Sequence, residues 1–319
     1  MPSTNSKQVY NLEFPVNIDQ LKIGGYVFKR IDDYERAFQE MQHLGHTSGS
    51  EFSIRPNTGS HQITAYVTPP ATEPAPALAW EGEHTQLSDV TLLLSIFTGR
   101  HVFHVDSPLG ENEILISDHR KYKYGGVLEC SPNFEEVEEI TGDEWWQREH
   151  HDIGFERTIN ETLQLIRSRE WQERYKGGHF LFLYQSAMEK RYAAEVFTQC
   201  WTIWSHIFGI ENIGNYTEAQ IRRSAESDRI KYVLEEYFYD PLDRAANAKI
   251  EIMAKARHRI VHFGKKSDDV SYDDLELFIR ATEALIAKIF GLQPSNLYNT
   301  SERLSRYFGQ LVPATNFQS

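Results

Sequence analysis

The sequence contains few cysteines and no long apolar segment. Its 319 residues include two cysteines, Cys130 and Cys200, which lie too far apart to resemble the short spacing of metal ligands. So few cysteines are typical of a protein from a reducing compartment. The most apolar runs, 90–97 and 180–184, are much shorter than the roughly 20 residues that cross a membrane. Residues 1–7 contain no apolar signal core, so we expect a cytoplasmic protein.

The sequence also lacks an excess of positive charge. Aspartate and glutamate (46 residues) outnumber lysine and arginine (33 residues), and the formal net charge at pH 7 is -13. Proteins that bind nucleic acid without sequence preference are usually basic, because they neutralise phosphates. One segment, 249–266, departs from this balance, with six lysines and arginines against one glutamate, a net charge of +5. Any contact with nucleic acid is therefore expected at this local basic segment.

Residues 1–150 are predicted to form a β-rich domain, because short β-branched and aromatic runs alternate there with turn residues. A helix is predicted over 85–97, where apolar residues recur at helical spacing before Gly99. His101 and His104 are three positions apart, so they point to opposite faces of a strand and do not indicate a metal site. The predicted strands are 9–16, 25–31, 51–54, 62–68, 100–106, 113–116 and 126–129.

Residues 151–319 are predicted to form an all-α domain, because the apolar period becomes helical after the acidic stretch 135–149. Thr217 and Gln220 have the spacing of a capping box, and Gly264 lies where a left-handed C-cap falls. The complete chain is therefore predicted to be α+β, with a five-helix bundle and a C-terminal tail after the β-rich domain. The predicted helices are about 153–176, 179–208, 217–238, 240–263 and 271–289.

A cluster of basic and imidazole side chains lies at the end of the fourth predicted helix. Arg257 is followed by the polar His258, and His262 comes five positions after Arg257. This spacing resembles the arginine–histidine motif of the HEPN (higher eukaryote and prokaryote nucleotide-binding) superfamily. The helical order over about 155–292 is similar to the bundle of that family. The β-rich first half, including 92–100, is similar to the N-terminal region of its Apea-like branch.

The resemblance implies a metal-independent endoribonuclease of bacterial defence or toxin type that leaves a 2′,3′-cyclic phosphate. It implies Arg257 and His262 as catalytic residues, His258 in a supporting role, no cofactor, and a homodimer formed through the helical domain. The residue types fit, because imidazole exchanges protons near neutral pH and guanidinium holds two phosphate oxygens. Further candidates for contacts to RNA phosphate are Arg259, Lys255 and Lys265. The resemblance implies a sensing or partner-binding role for the first half.

The position of these side chains on a helix is compatible with more than one role. Arg257 and His262 lie about 140° apart on a straight helix, so they converge only if the last turn unwinds or if two subunits face each other. Arg257 and His262 are also favoured at a helix C-terminus by the helix dipole alone. His258 and His262 are spaced as two metal ligands, but the third would have to come from Asp268 or Asp269. A non-catalytic nucleotide- or RNA-binding module and a regulatory partner protein are the alternative functions.

Overall fold

The structure is a computed structural model that describes residues 6–14, 18–42, 62–70, 86–98, 102–105, 151–188, 193–237, 244–264 and 272–291. Its described residues combine an antiparallel sheet in the first half with a mostly helical second half. The mixed α+β class predicted from the sequence is therefore confirmed. Among the described residues, no helix has both the length and the apolar character needed to cross a membrane.

Within the described part of the first half, the sheet has five antiparallel strands in the spatial order β2-β3-β4-β1-β5. Strand β2 alternates exposed and buried residues, as expected for a strand with one face on the core. Predicted strands 25–31, 62–68 and 100–106 correspond to β3, β4 and β5, whereas β2 was not predicted. The strands are β1 (Lys7–Tyr10), β2 (Gln20–Ile23), β3 (Tyr26–Arg30), β4 (Ile63–Thr68) and β5 (Phe103–Val105).

Two helices accompany this sheet among the residues that the structure describes in the first half. Helix α1 (Tyr34–Gln42), which was not predicted, is held at its start because the Tyr34 hydroxyl accepts a hydrogen bond from the Phe14 amide at 2.8 Å. Helix α2 (Gln86–Thr98) matches the predicted helix and is almost entirely buried. Its Phe97 ring stacks at 6.0 Å on Phe290, which directly follows the last described helix. Helix α2 therefore joins the sheet to the helical half. Predicted strands 51–54, 113–116 and 126–129 lie outside the described residues.

The turn between β2 and β3 lies directly against the first helix of the second half. The Gly24 amide donates to Asn160 Oδ1 at 2.9 Å, and Asn160 Nδ2 donates to the Lys22 carbonyl at 2.8 Å. A Cβ atom at Gly24 would lie 2.7 Å from Leu163 Cδ2, and φ is +58°, so this approach requires glycine. The domain boundary proposed near residue 150 lies beyond the described residues.

The described part of the second half contains eight α-helices where five were predicted. The first and third predicted helices are each divided after a serine, because Ser168 caps a new helix and Ser224 has extended backbone with ψ of 140°. The five-helix count is therefore not confirmed. The helices are α3 (His151–Arg167), α4 (Arg169–Arg174), α5 (His179–Met188), α6 (Ala193–Glu211), α7 (Glu218–Arg223), α8 (Glu226–Tyr237), α9 (Arg244–Phe263) and α10 (Tyr272–Ile289).

Helices α6 and α10 form the centre of the helical half. The Phe278 ring of α10 lies 5.2–5.5 Å from Phe197, Trp201 and Trp204 of α6, measured between ring centroids. Cys200 lies in the same buried region, and burial raises the pKa of its thiol to about 12. Such a thiol is a packing group rather than a nucleophile. Cys130 lies outside the described residues.

Candidate functional site

Helix α9 carries the arginine–histidine motif and remains regular to its end. Its helical backbone extends to Phe263, and the Gly264 amide donates to the Ile260 carbonyl at 3.1 Å. Gly264 has a φ of +59°, the left-handed conformation predicted for its C-cap position. The last turn therefore does not unwind before Gly264, and α9 presents Arg257 and His262 from one regular helix.

The buried face of α9 determines where the motif side chains point. Ile250, Met253 and Ala256 are buried, and α9 contacts α6 and α8. At about 100° per residue, His262 lies on the side of α9 opposite these three residues, whereas Arg257 lies within the arc that they cover. Within one chain, Arg257 and His262 therefore leave the helix in different directions.

Arg257 is directed toward the start of α8. Its Nη1 donates to Glu226 Oε1, and its side chain is 20% exposed. Arg257 Nε is buried and has no hydrogen-bond partner among the described residues. The charge-assisted hydrogen bond to Glu226 therefore orients the Arg257 guanidinium but uses only one of its five N–H donors.

A second ion pair fixes the same two helices farther along. Lys231 Nζ of α8 lies 2.7 Å from Glu251 Oε1 of α9, and this hydrogen bond lowers the pKa of the Glu251 carboxyl. Because Glu226 precedes Lys231 whereas Arg257 follows Glu251, the two pairs require an antiparallel arrangement of α8 and α9. No local pattern in the sequence indicates Glu226 as the partner of Arg257, since the two residues are 31 positions apart.

The two histidines of the motif lie together on the exposed side. His258 and His262 are both exposed, and their ring centroids are 4.4 Å apart, as their four-residue spacing predicts. The Phe263 ring lies 6.0 Å from His258 and 6.5 Å from His262. The end of α9 therefore presents two imidazoles beside an exposed aromatic ring.

The basic residues around the histidines are only partly within the described chain. Lys255 and Arg259 are exposed on α9, and a regular helix places both on the same side as His262. Lys265, Asp268 and Asp269 lie outside the described residues. In the described part of the chain, no group of three or more His, Cys, Asp or Glu side chains is arranged to hold a metal ion.

Comparisons with known proteins do not identify a relative. No protein-family model, curated protein or solved structure matches the chain. What α9 can do therefore follows from the side chains that it carries and from their geometry.

Proposed function

We propose that the protein is a metal-independent endoribonuclease in which His262 and Arg257 act on one phosphodiester bond. The observation that carries this proposal is the exposed His262 ring, packed against His258 at the end of the helix that also bears Arg257. The basic residues Lys255 and Arg259 on the same side support contact with RNA phosphate, although the net charge of the chain is -13.

These side chains can perform RNA cleavage by internal attack. An imidazole takes the proton of the 2′-hydroxyl, the 2′-oxygen attacks phosphorus, and the bond from phosphorus to the 5′-oxygen breaks. The leaving oxygen takes up a proton, so the products are a 2′,3′-cyclic phosphate and a 5′-hydroxyl. A guanidinium stabilises the charge that develops on the nonbridging oxygens. In the proposed reaction His262 transfers the proton, Arg257 stabilises the phosphorane and His258 supports His262.

The proposed active site requires a second copy of the chain. Arg257 and His262 diverge by about 140° on a regular helix, so one chain does not direct both toward one phosphate. Ile252 and Phe263 are exposed apolar residues that share one side of α9 about three helical turns apart, next to the face that carries His262. In the proposed assembly these two side chains form the apolar part of a protein–protein contact. We therefore propose a homodimer whose α9 helices face each other.

Phe263→Asp is expected to weaken this dimer by at least about tenfold in Kd, because a charge would replace an apolar anchor in the contact. Phe263 is 65% exposed in the single chain, so the variant should keep the fold. Ile213→Asp is the matched control, because Ile213 is 58% exposed and lies outside α9. Sedimentation equilibrium measures both, and equal association of Phe263→Asp and wild type would contradict a dimer through α9.

The pairing of Arg257 with Glu226 favours one alternative, a non-catalytic module that binds RNA or nucleotides. The Glu226 carboxylate already compensates part of the Arg257 charge, and the guanidinium is mostly buried. A module of this kind would bind RNA through Lys255 and Arg259 without cleaving it. Binding without turnover therefore distinguishes this alternative from the nuclease.

The test of the proposed function is cleavage of single-stranded and hairpin RNA by the purified full chain in the presence of EDTA. We expect fragments that end in a 2′,3′-cyclic phosphate, identified by mass spectrometry and by resistance of the 3′-end to ligation. Intact RNA after incubation with a dimeric preparation, together with measurable RNA binding, would contradict the nuclease and support the binding module.

A further inference from the structure

A cavity of about 340 Å³ lies far from the motif of α9, at another end of the helical half. It is formed by the end of α3, by α4 and by the C-terminal ends of α8 and α10. Helix α8 separates this cavity from the motif, because Tyr237 lines the cavity and Glu226, the partner of Arg257, begins the same helix. Eleven residues of α helix span about 16 Å, so the two regions are distinct.

The inner wall of the cavity is aromatic and apolar. Trp171, Tyr175 and Tyr237 line it and are buried, and Leu165 and Ile289 add aliphatic surface. The Tyr237 hydroxyl donates to Glu211 Oε1 at 2.6 Å, so this hydroxyl already has a hydrogen-bond partner within the protein. Burial raises the pKa of Tyr237 and of Tyr175, and both phenols are therefore neutral at physiological pH. The wall thus offers an apolar surface without a charge of its own.

The rim of the cavity carries two cationic side chains. Arg174 ends α4 and Lys288 lies in the last turn of α10, whereas Glu170 is the one carboxylate among the lining residues. The Arg174 guanidinium lies 5.2 Å from the centre of the Tyr175 ring, and its Nη2 donates to Glu211 Oε1 at 3.3 Å. Among the described residues, Glu211 is the only hydrogen-bond acceptor of Arg174. Within the described part of the chain, its Nε and Nη1 donors therefore remain available to a ligand.

The position of the guanidinium at the mouth of the cavity supports a ligand site in addition to its ion pair with Glu211. Tyr175 and Glu211 orient Arg174, although its side chain is 57% exposed and accessible from solvent. A planar guanidinium at the mouth of an apolar cavity can bind the anionic group of a ligand, while the cavity binds the apolar part of the same ligand. The volume also falls within the range of about 300–1,000 Å³ that ligand pockets occupy.

We propose that this cavity binds a small organic anion, an apolar or aromatic body with one carboxylate or phosphate group. Arg174 and Lys288 would hold the anionic group, while Trp171, Tyr237 and Ile289 would surround the apolar part. This site is independent of the proposed cleavage of RNA, and its test does not require nuclease activity.

The test is isothermal titration calorimetry of the full chain with 4-phenylbutyrate, phenyl phosphate, inorganic phosphate and the uncharged 4-phenylbutanol. We expect 4-phenylbutyrate and phenyl phosphate to bind, and the other two probes to bind at least about tenfold more weakly. Inorganic phosphate lacks the apolar group, and 4-phenylbutanol lacks the anionic group. The relative affinity of 4-phenylbutyrate and phenyl phosphate distinguishes a carboxylate ligand from a phosphate ligand.

Arg174→Ala should weaken binding of the anionic aromatic probes by about tenfold or more, the loss expected for a charge-assisted hydrogen bond. Arg169→Ala is the matched control, because Arg169 lies on the same short helix, is 90% exposed and pairs with Glu173. Lys288→Gln serves as a second variant if Arg174→Ala does not fold. The proposal is overturned if neither aromatic anion binds at millimolar concentration, or if Arg174→Ala and Arg169→Ala bind the probes equally.

Discussion

His262→Ala is expected to slow RNA cleavage by about 10²–10⁴-fold, the range that proton transfer by a positioned side chain contributes. Nothing else at the end of α9 would replace it fully, because His258 lies on the preceding turn and presents its imidazole from a different position. His262 is exposed, so its truncation should change the free energy of unfolding by no more than about 0.5 kcal/mol. The measurements are the initial rate of cleavage with EDTA present and a thermal melt of the same preparation.

His179→Ala is the matched control for this prediction. His179 is also exposed, but it lies at the start of α5, where it contacts His206 instead of the motif. We expect this variant to cleave at the wild-type rate. Cleavage by His262→Ala at the wild-type rate would remove His262 from the proposed reaction, whatever the result for His179→Ala.

Phe278→Ala is expected to lower the free energy of unfolding by about 3–5 kcal/mol, the usual cost of removing a buried aromatic ring. Phe278 is almost completely buried, and its ring contacts Phe197, Trp201 and Trp204 of α6 at centroid distances of 5.2–5.5 Å. Alanine would leave a cavity at the junction of α6 and α10. These rings are large and packed, and they cannot collapse into that space without leaving their rotamers.

Urea unfolding followed by tryptophan fluorescence and by circular dichroism measures this loss. The matched control is Ile213→Ala, because Ile213 is an exposed apolar residue and its truncation should change stability by no more than about 0.5 kcal/mol. A loss below about 1 kcal/mol for Phe278→Ala would contradict the packing of α6 against α10.

Local signals in the sequence predicted several elements because their physical causes are local. Thr217 and Gln220 form the predicted capping box, with hydrogen bonds in both directions between side chain and backbone. Gly264 has the predicted left-handed backbone because only the end of its own helix determines that position. The apolar spacing over 85–97 likewise identified α2, because thirteen residues provide enough turns for a helical period to be recognised.

Elements defined by short segments or distant contacts were not predicted. Strand β2 has four residues, and it is defined by pairing with β3 and by the contact of Gly24 with Asn160 in α3. The divisions at Ser168 and Ser224 were missed because serine also occurs inside helices, whereas Ser168 caps a new helix and Ser224 has extended backbone. Helical period alone therefore overestimates helix length when a capping residue falls within the pattern.

The candidate site was predictable where it depends on one helix and unpredictable where it depends on two. The contact of His258 with His262 follows from four-residue spacing on α9. The contact of Arg257 with Glu226 depends on the antiparallel packing of α8 and α9, which no local pattern specifies. For the same reason the cavity beside Arg174 and Lys288 was not predicted, since four separate helices form it.

The most direct test of the central claim mixes two inactive variants, Arg257→Ala and His262→Ala, under conditions that allow subunits to exchange. If each active site combines Arg257 of one chain with His262 of the other, half of the dimers are mixed and one of their two sites is intact. The mixture should then recover about a quarter of the wild-type rate, as expected for random exchange in a symmetric dimer. A mixture that exchanges subunits and remains as inactive as either variant alone would contradict a composite site across two α9 helices.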